Sequence, residues 1–198
     1  MRVYHRLLLL TFVLISGCRA SRKEELISYK TLINWGNSAS KTSFASSTYL
    51  LKSNSIPDSV LAMQGLQSLI ITGMDCDYGD RDSCWMISEI PASIKNLKEL
   101  RSLVLTIHGI QVLPKEIRYL NKLTLLDLTD NSALRNIDEI TQPTNLQNLV
   151  LYGCGLSKLP RKMGKLKNLR YLGLNGNPLP ESEIRRVKKV LPDCEISF

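Results

Sequence analysis

Leu100-x-x-Leu103-x-Leu105 is the phrase that decides the fold, because it returns as Leu123-x-x-Leu126-x-Leu128, Leu146-x-x-Leu149-x-Leu151 and Leu169-x-x-Leu172-x-Leu174, each 23 residues after the last. Apolar residues at alternate positions line one face of a short strand. A fixed period of this size describes units too small to bury their own apolar face, so they must stack on one another as a solenoid.

A second phrase fills the rest of the period. Pro91-x-x-Ile94-x-x-Leu97-x-x-Leu100 recurs as Pro114-x-x-Ile117-x-x-Leu120-x-x-Leu123 and as Pro160-x-x-Met163-x-x-Leu166-x-x-Leu169. Threefold spacing predicts one or two helical turns with one buried face, and the proline suits the first helical position because its missing N–H is unpaired there in any case. These residues resemble the leucine-rich repeat family, in the Leu-Pro-x-x-Ile-x-x-Leu-x-x-Leu subtype common in bacterial surface proteins, over residues 56–198. The resemblance implies an α/β solenoid of about five repeats plus terminal caps, with a parallel concave sheet and short helical or 3₁₀ segments on the convex side.

The departures from strict periodicity are informative. A first unit runs through Ile56, Val60, Met63, Leu66, Leu69 and Ile71, and Leu66 to Leu100 spans 34 residues, one period plus 11, which predicts a loop extruded within residues 75–88. After Leu128, Leu134 follows Asn131 by three residues where two are usual, and the stretch 137–146 is one residue short, so the shift cancels before the next strand. The residue after each strand is Met74, His108, Asn131, Cys154 or Asn177. In the family this place usually holds Asn or Cys, turned inward to hydrogen-bond the backbone, which implies the same structural role for His108 and Cys154 rather than a metal or catalytic one. At the end, residues 181–190 predict a basic helix over the open end of the core, followed by a last strand with Cys194 at an inward place.

The N-terminal region divides the chain into 1–17, a signal peptide; 18–55, a tether and N-terminal cap; 56–179, the repeats; and 180–198, the C-terminal cap. Arg2 and Arg6 precede an apolar run at 7–15, too short for a membrane span of about 20 residues. Ile15-Ser16-Gly17-Cys18 resembles the bacterial lipobox, in which the cysteine is lipidated. That resemblance implies an envelope protein anchored through Cys18. Arg19 rather than Asp after it favours the outer membrane over the inner, with surface exposure left open. The competing reading is an ordinary signal peptide ending by chance near a cysteine. Leu26, Ile27, Leu32, Ile33 and Trp35 suggest an amphipathic capping helix over 24–35, and the Ser-rich stretch 37–47 a loop or tether.

Cys76 and Cys84 fall in the inserted loop and would form a disulfide in an oxidising compartment. Asp75, Asp77, Asp80 and Asp82 share that loop, but an EF-hand would need glycine where Asp80 stands and a carboxylate where Met86 stands. A solvated acidic loop is therefore expected, with no metal and no cofactor. The formal charge of +8 becomes +6 without Arg2 and Arg6, and the cations fall between the apolar positions of the convex segments. This reads as a soluble outer surface, or in sharper form as loose attraction to anionic lipid or envelope polymer, and no nucleic-acid partner is expected.

On the concave face, the outward positions form columns: Ser102, Leu125, Asn148 and Tyr171; Val104, Asp127, Val150 and Gly173; Thr106, Thr129, Tyr152 and Asn175; Ile107, Asp130, Gly153 and Gly176. Exposed apolar and aromatic groups on a rigid sheet suit a protein interface, so Val104, Leu125, Asp127, Thr129, Val150, Tyr152, Tyr171 and Asn175 are the candidate partner-binding residues. An enzyme would need a nucleophile with its base or paired acids in a pocket. His5 lies in the signal and His108 at a structural place, while Asp127 and Asp130 lie on an open face, so no catalytic residue is assigned. The sequence thus points to a monomeric, membrane-anchored, non-enzymatic protein-binding module. A structural or self-associating envelope lipoprotein is the alternative, with a hydrolase or glycan-binding protein behind it.

Overall fold

The structure, a computed structural model, describes the backbone of residues 26–29, 48–51, 54–73 and 86–198, and the side chains of the last two stretches. The signal peptide, Cys18, Met74, the acidic residues Asp75, Asp77, Asp80 and Asp82, and the Cys76–Cys84 pairing all lie outside the described residues.

Among the described residues, eight strands form one sheet in sequence order: β1 Leu26–Tyr29, β2 Thr48–Leu51, β3 Ser68–Thr72, β4 Ser102–Thr106, β5 Leu125–Asp127, β6 Asn148–Val150, β7 Tyr171–Gly173 and β8 Glu195–Ser197. β1 pairs with β2 antiparallel and every later pair is parallel. The helix expected over 24–35 is a correction: Leu26–Tyr29 is strand. Pairing with β2 gives this short piece the backbone hydrogen bonds that a single amphipathic turn would have had to supply alone, and Ile27 and Tyr29 are strand-favouring types.

The leucine phrase is the inward face of the sheet. Leu69, Leu103, Leu126, Leu149 and Leu172 are aligned in register and fully buried. The 34-residue interval before β4 leaves this unchanged, since Ser68 to Thr72 pair one for one with Ser102 to Thr106. Gly73, just beyond β3, is required by close approach: a Cβ there would lie 1.8 Å from the Ile107 carbonyl oxygen.

On the opposite side, the threefold phrase is a chain of hydrogen bonds. Ile94 N–H donates to the Pro91 carbonyl (3.0 Å), Leu97 to Ile94 (3.1 Å) and Leu100 to Leu97 (3.1 Å), and the same three links recur from Pro114 to Leu123 and from Pro160 to Leu169. Each buried apolar residue therefore anchors both a side chain and a 3₁₀-type turn. The turns are Ala92–Asn96, Lys115–Tyr119, Asp138–Thr141 and Met163–Lys165. The prolines correct one detail: Pro91 and Pro114 stand before the first helical residue, extended at ψ 152 and 145, and contribute the carbonyl that opens the turn.

Inside the coil, the residue after each strand ties adjacent turns. Asn131 donates through Nδ2 to the Leu105 and Leu128 carbonyls (both 2.8 Å) and accepts the Ile110 N–H (3.2 Å). Asn177 makes the same three contacts, with Leu151, Leu174 and Leu156. His108 reproduces the pattern with a ring, Nδ1 accepting the Ile87 N–H and Nε2 facing the Ile71 carbonyl, each at 3.2 Å. Cys154 donates its thiol to the Leu128 carbonyl (3.1 Å), and its sulfur accepts from the Asn131 N–H. Beyond the extra residue after Asn131, Leu134 N–H donates to the Asn131 carbonyl (2.9 Å).

The end of the core is covered as expected by helix α1, Glu181–Val190, which buries Val187 completely and leads to Leu191 at 6 % exposure. Arg186 pairs with Glu183 (2.7 Å) and also donates to the Leu159 and Pro160 carbonyls, while Glu183 accepts the Leu159 N–H (2.7 Å). Cys194 is a correction. Cys194 closes a turn, its N–H donating to the Leu191 carbonyl (3.3 Å), so that Ile196 opposes Leu172 and Cys194 packs half-buried against the core before the strand.

Candidate functional site

The outward columns read from the sequence are present as register partners. Ser102, Leu125, Asn148 and Tyr171 align, continued by Glu195; Val104, Asp127, Val150 and Gly173 align, continued by Ser197. The alternation of buried and half-buried residues in β3 and β4 shows one face turned to the core and the other to solvent.

The face has two unlike halves. Over β4 and β5, Val104, Leu125, Asp127 and Thr129 are all half-buried and mutually adjacent. Over β6 to β8 the expected residues are tied to one another. The Tyr152 hydroxyl is hydrogen-bonded to that of Tyr171, both reach Ser197 Oγ (3.3 and 3.0 Å), Ser197 donates to Asn175 Oδ1 (2.8 Å), and Asn175 Nδ2 donates to the Phe198 carbonyl (2.5 Å). Tyr152 lies across Gly173, where a Cβ would come within 2.7 Å of its ring. Val150 is a correction to the candidate set: at 1 % exposure it has no surface to offer a partner. Ser197 is the member of this half that sequence reading missed. Gly173, the one outward strand place without a side chain in its column, was the available sign that an aromatic ring would lie there.

Chemically, the outward places of β3 to β8 hold acids and no lysine or arginine. Asp127 Oδ1 accepts from Thr129 N–H (2.9 Å) and Thr129 Oγ1 (2.6 Å). Burial pushes the Asp127 carboxyl above its ordinary range, against the lowering effect of those two bonds, and the nearby Asp130 charge adds a smaller push upward. Asp130 and Ile107 occupy the edge place in the left-handed region, at φ 57 and 59, followed by Gly153 and Gly176 at φ 60 and 76. A branched side chain at such a φ is strained.

Among the described residues, the one histidine and the two cysteines are turned to the backbone or the core. Both His108 ring nitrogens face backbone groups, and burial lowers its pKa. The buried Cys154 thiol is pushed up to about 12 and the Cys194 thiol to about 11, chiefly by burial, so neither is a ready nucleophile. At the start of the strands a polar groove passes Thr124, Asn145, Gln147 and Asn168. Its side chains serve the coil: Asn145 donates to the Asn121 carbonyl (2.6 Å), Asn168 to that of Thr144 (3.1 Å), and Lys122 pairs with Glu99 (2.7 Å).

No family model matches the chain. A stretch of 76 residues is 40% identical to Receptor like protein 22 of Arabidopsis thaliana, covering 37% of this chain and 9% of that protein. Another of 89 residues is 35% identical to disease resistance protein RPS6 of the same plant, covering 44% of this chain and 8% of that one. The chain thus spans less than a tenth of these curated relatives. Among solved structures, a leucine-rich repeat protein of Leptospira interrogans superposes with a TM-score of 0.62 at 34% identity, over 72% of this chain and 34% of that one. The leucine-rich repeat domain of the type III effector XopL gives 0.54 at 26% identity, over 72% and 56%. By fold, the chain is a leucine-rich repeat solenoid.

Proposed function

We propose that this protein is a lipid-anchored, non-enzymatic binding module of a bacterial envelope that holds a protein partner on the open face of its sheet. The observation that carries the reading is the half-buried group Val104, Leu125, Asp127 and Thr129 on a sheet whose opposite face is buried from β3 to β7. A rigid platform presents such groups with little ordering cost on association. Likeness to a bacterial leucine-rich repeat protein supports the setting. The anchor is supported by Arg2, Arg6, the apolar run at 7–15 and Ile15-Ser16-Gly17-Cys18.

Two measurements on the protein in its own cells test this. Feeding a labelled fatty acid should mark the wild-type chain and leave Cys18→Ala unmarked; equal labelling of both, or of neither, would remove the anchor. A photo-crosslinking residue in place of Thr106 should capture one defined protein that a crosslinker at Lys165, on the convex side, does not. Capture of a second copy of the chain would establish the self-associating alternative. Identical products from both positions would end the open-face assignment.

A further inference from the structure

The open face and the rest of the molecule differ in charge. In β3 to β8 the outward residues include Asp127 and Glu195, with Asp130 at the edge, and no lysine or arginine. The convex segments instead expose Lys95, Lys98, Lys115, Arg118, Arg161 and Lys162 among others, in a chain of net charge +8. An acid in the middle of the face of a basic protein therefore stands apart from the general balance.

Asp127 lies near the centre of that face. Its register neighbours are Val104 and Val150, and its companions on the same strand face are Leu125 and Thr129, all uncharged. Thr129 occupies one carboxylate oxygen, Oδ1, through both its N–H and its hydroxyl. Among the described residues neither Asp127 nor Asp130 is in an ion pair, although Glu99, Glu181 and Glu183 each have one. A carboxylate held in place by hydrogen bonds on one oxygen, walled by apolar groups and lacking a cation, is pre-organised for a donor from outside.

Building on the open-face reading, we infer that the partner segment docking on β4 and β5 presents an arginine or lysine to Asp127 and Asp130, flanked by uncharged side chains that rest on Val104 and Leu125. The charge is complementary here and opposed on the convex side, which would repel such a segment. Like-charge rejection also gives the face selectivity against acidic segments.

The test is a titration of the full-length ¹⁵N-labelled chain with two defined probes, acetyl-Ala-Val-Arg-Val-Ala-amide and the same peptide with citrulline, which keeps the shape of arginine without its charge. Saturable shifts at the Val104, Asp127, Thr129 and Asp130 amides are expected for the arginine peptide, with about tenfold weaker binding of the citrulline peptide. A similar loss is expected for Asp127→Asn, whose side-chain oxygen can still accept from Thr129, so that unchanged amide shifts elsewhere would certify its fold. Equal shifts by the two peptides, or arginine binding unaffected by Asp127→Asn, would overturn the inference while leaving open-face docking in place. Absence of shifts on this face together with indiscriminate crosslinks from Thr106 would remove both. Shifts of these amides on raising protein concentration alone would assign the face to a second copy and also overturn it.

Discussion

His108 shows how much a single buried residue can be asked to do. It stands where Asn131 and Asn177 stand in other coils, and an imidazole can imitate their amide only in one protonation state: Nδ1 bare, to accept from Ile87 N–H, and Nε2 protonated, to donate to Ile71. Burial lowers its pKa, so the unfolded chain takes up a proton first as pH falls. Stability contributed by the neutral ring is therefore complete above the ordinary value of 6.5 and declines as pH drops below it toward the folded value. Thermal melting should fall over that interval in the wild type and stay level in His108→Asn, which keeps the ladder and removes the titration. A wild-type profile no steeper than that of the variant would refute this role. Asn131 and Cys154 offer a second contrast. Asn131→Ala strips three buried backbone groups of their partner and should cost about 3 kcal/mol in urea unfolding, whereas Cys154→Ala loses only the weak hydrogen bonds of a thiol and should cost about 1 kcal/mol.

At the scale of the repeat element, the extra residue visible after Asn131 leaves the pairing of β5 with β6 in register. Leu134 N–H turns back to the Asn131 carbonyl of its own coil, and in the next coil Cys154 holds the Leu128 carbonyl through its thiol. The element also carries strain. Ile107 holds φ 59 at a place where neighbouring coils use Asp130, Gly153 and Gly176. Asn enters this region more readily than a branched residue, so Ile107→Asn should raise stability by about 1 kcal/mol, relief of strain outweighing the loss of a half-buried side chain. A fall in the midpoint of denaturation would show that the packing of Ile107 matters more than its backbone.

Across the whole molecule, the stack is stabilised coil against coil, so its ends decide where it opens first. The C-terminal end depends on Arg186 and Glu183, which bind the backbone of the preceding coil at Leu159 and Pro160. The Arg186 guanidinium holds the Glu183 carboxyl below the usual glutamate range. Because the folded value is the lower one, this contribution is present at neutral pH and is lost as pH falls below 4.5 toward the folded value, a second acid step beneath that of His108. Arg186→Ala should destabilise by about 2 kcal/mol and accelerate amide exchange at Leu159 while leaving Leu103 protected; uniform acceleration along the stack would argue instead for a single cooperative unit.

The strand register, the buried leucines and the convex turns could all be read from spacing, because each coil must place the same residues at the same height for parallel backbone pairing to continue. For the same reason the open-face columns were legible, including Val104, Leu125 and Asp127 in adjacent places. What spacing could not supply was the direction and company of individual side chains. That Val150 is covered, that Tyr152 lies over Gly173 and joins Tyr171 and Ser197, and that Ile196 rather than Cys194 opposes Leu172 depend on contacts between residues far apart in the chain. The 26–29 segment likewise became strand because β2 was there to pair with it. Sequence by itself determined the solenoid, since its period is a local and repeated property. Only the tertiary structure decided which part of the open face is available to a partner, since exposure is set by what neighbouring coils bring to lie on top.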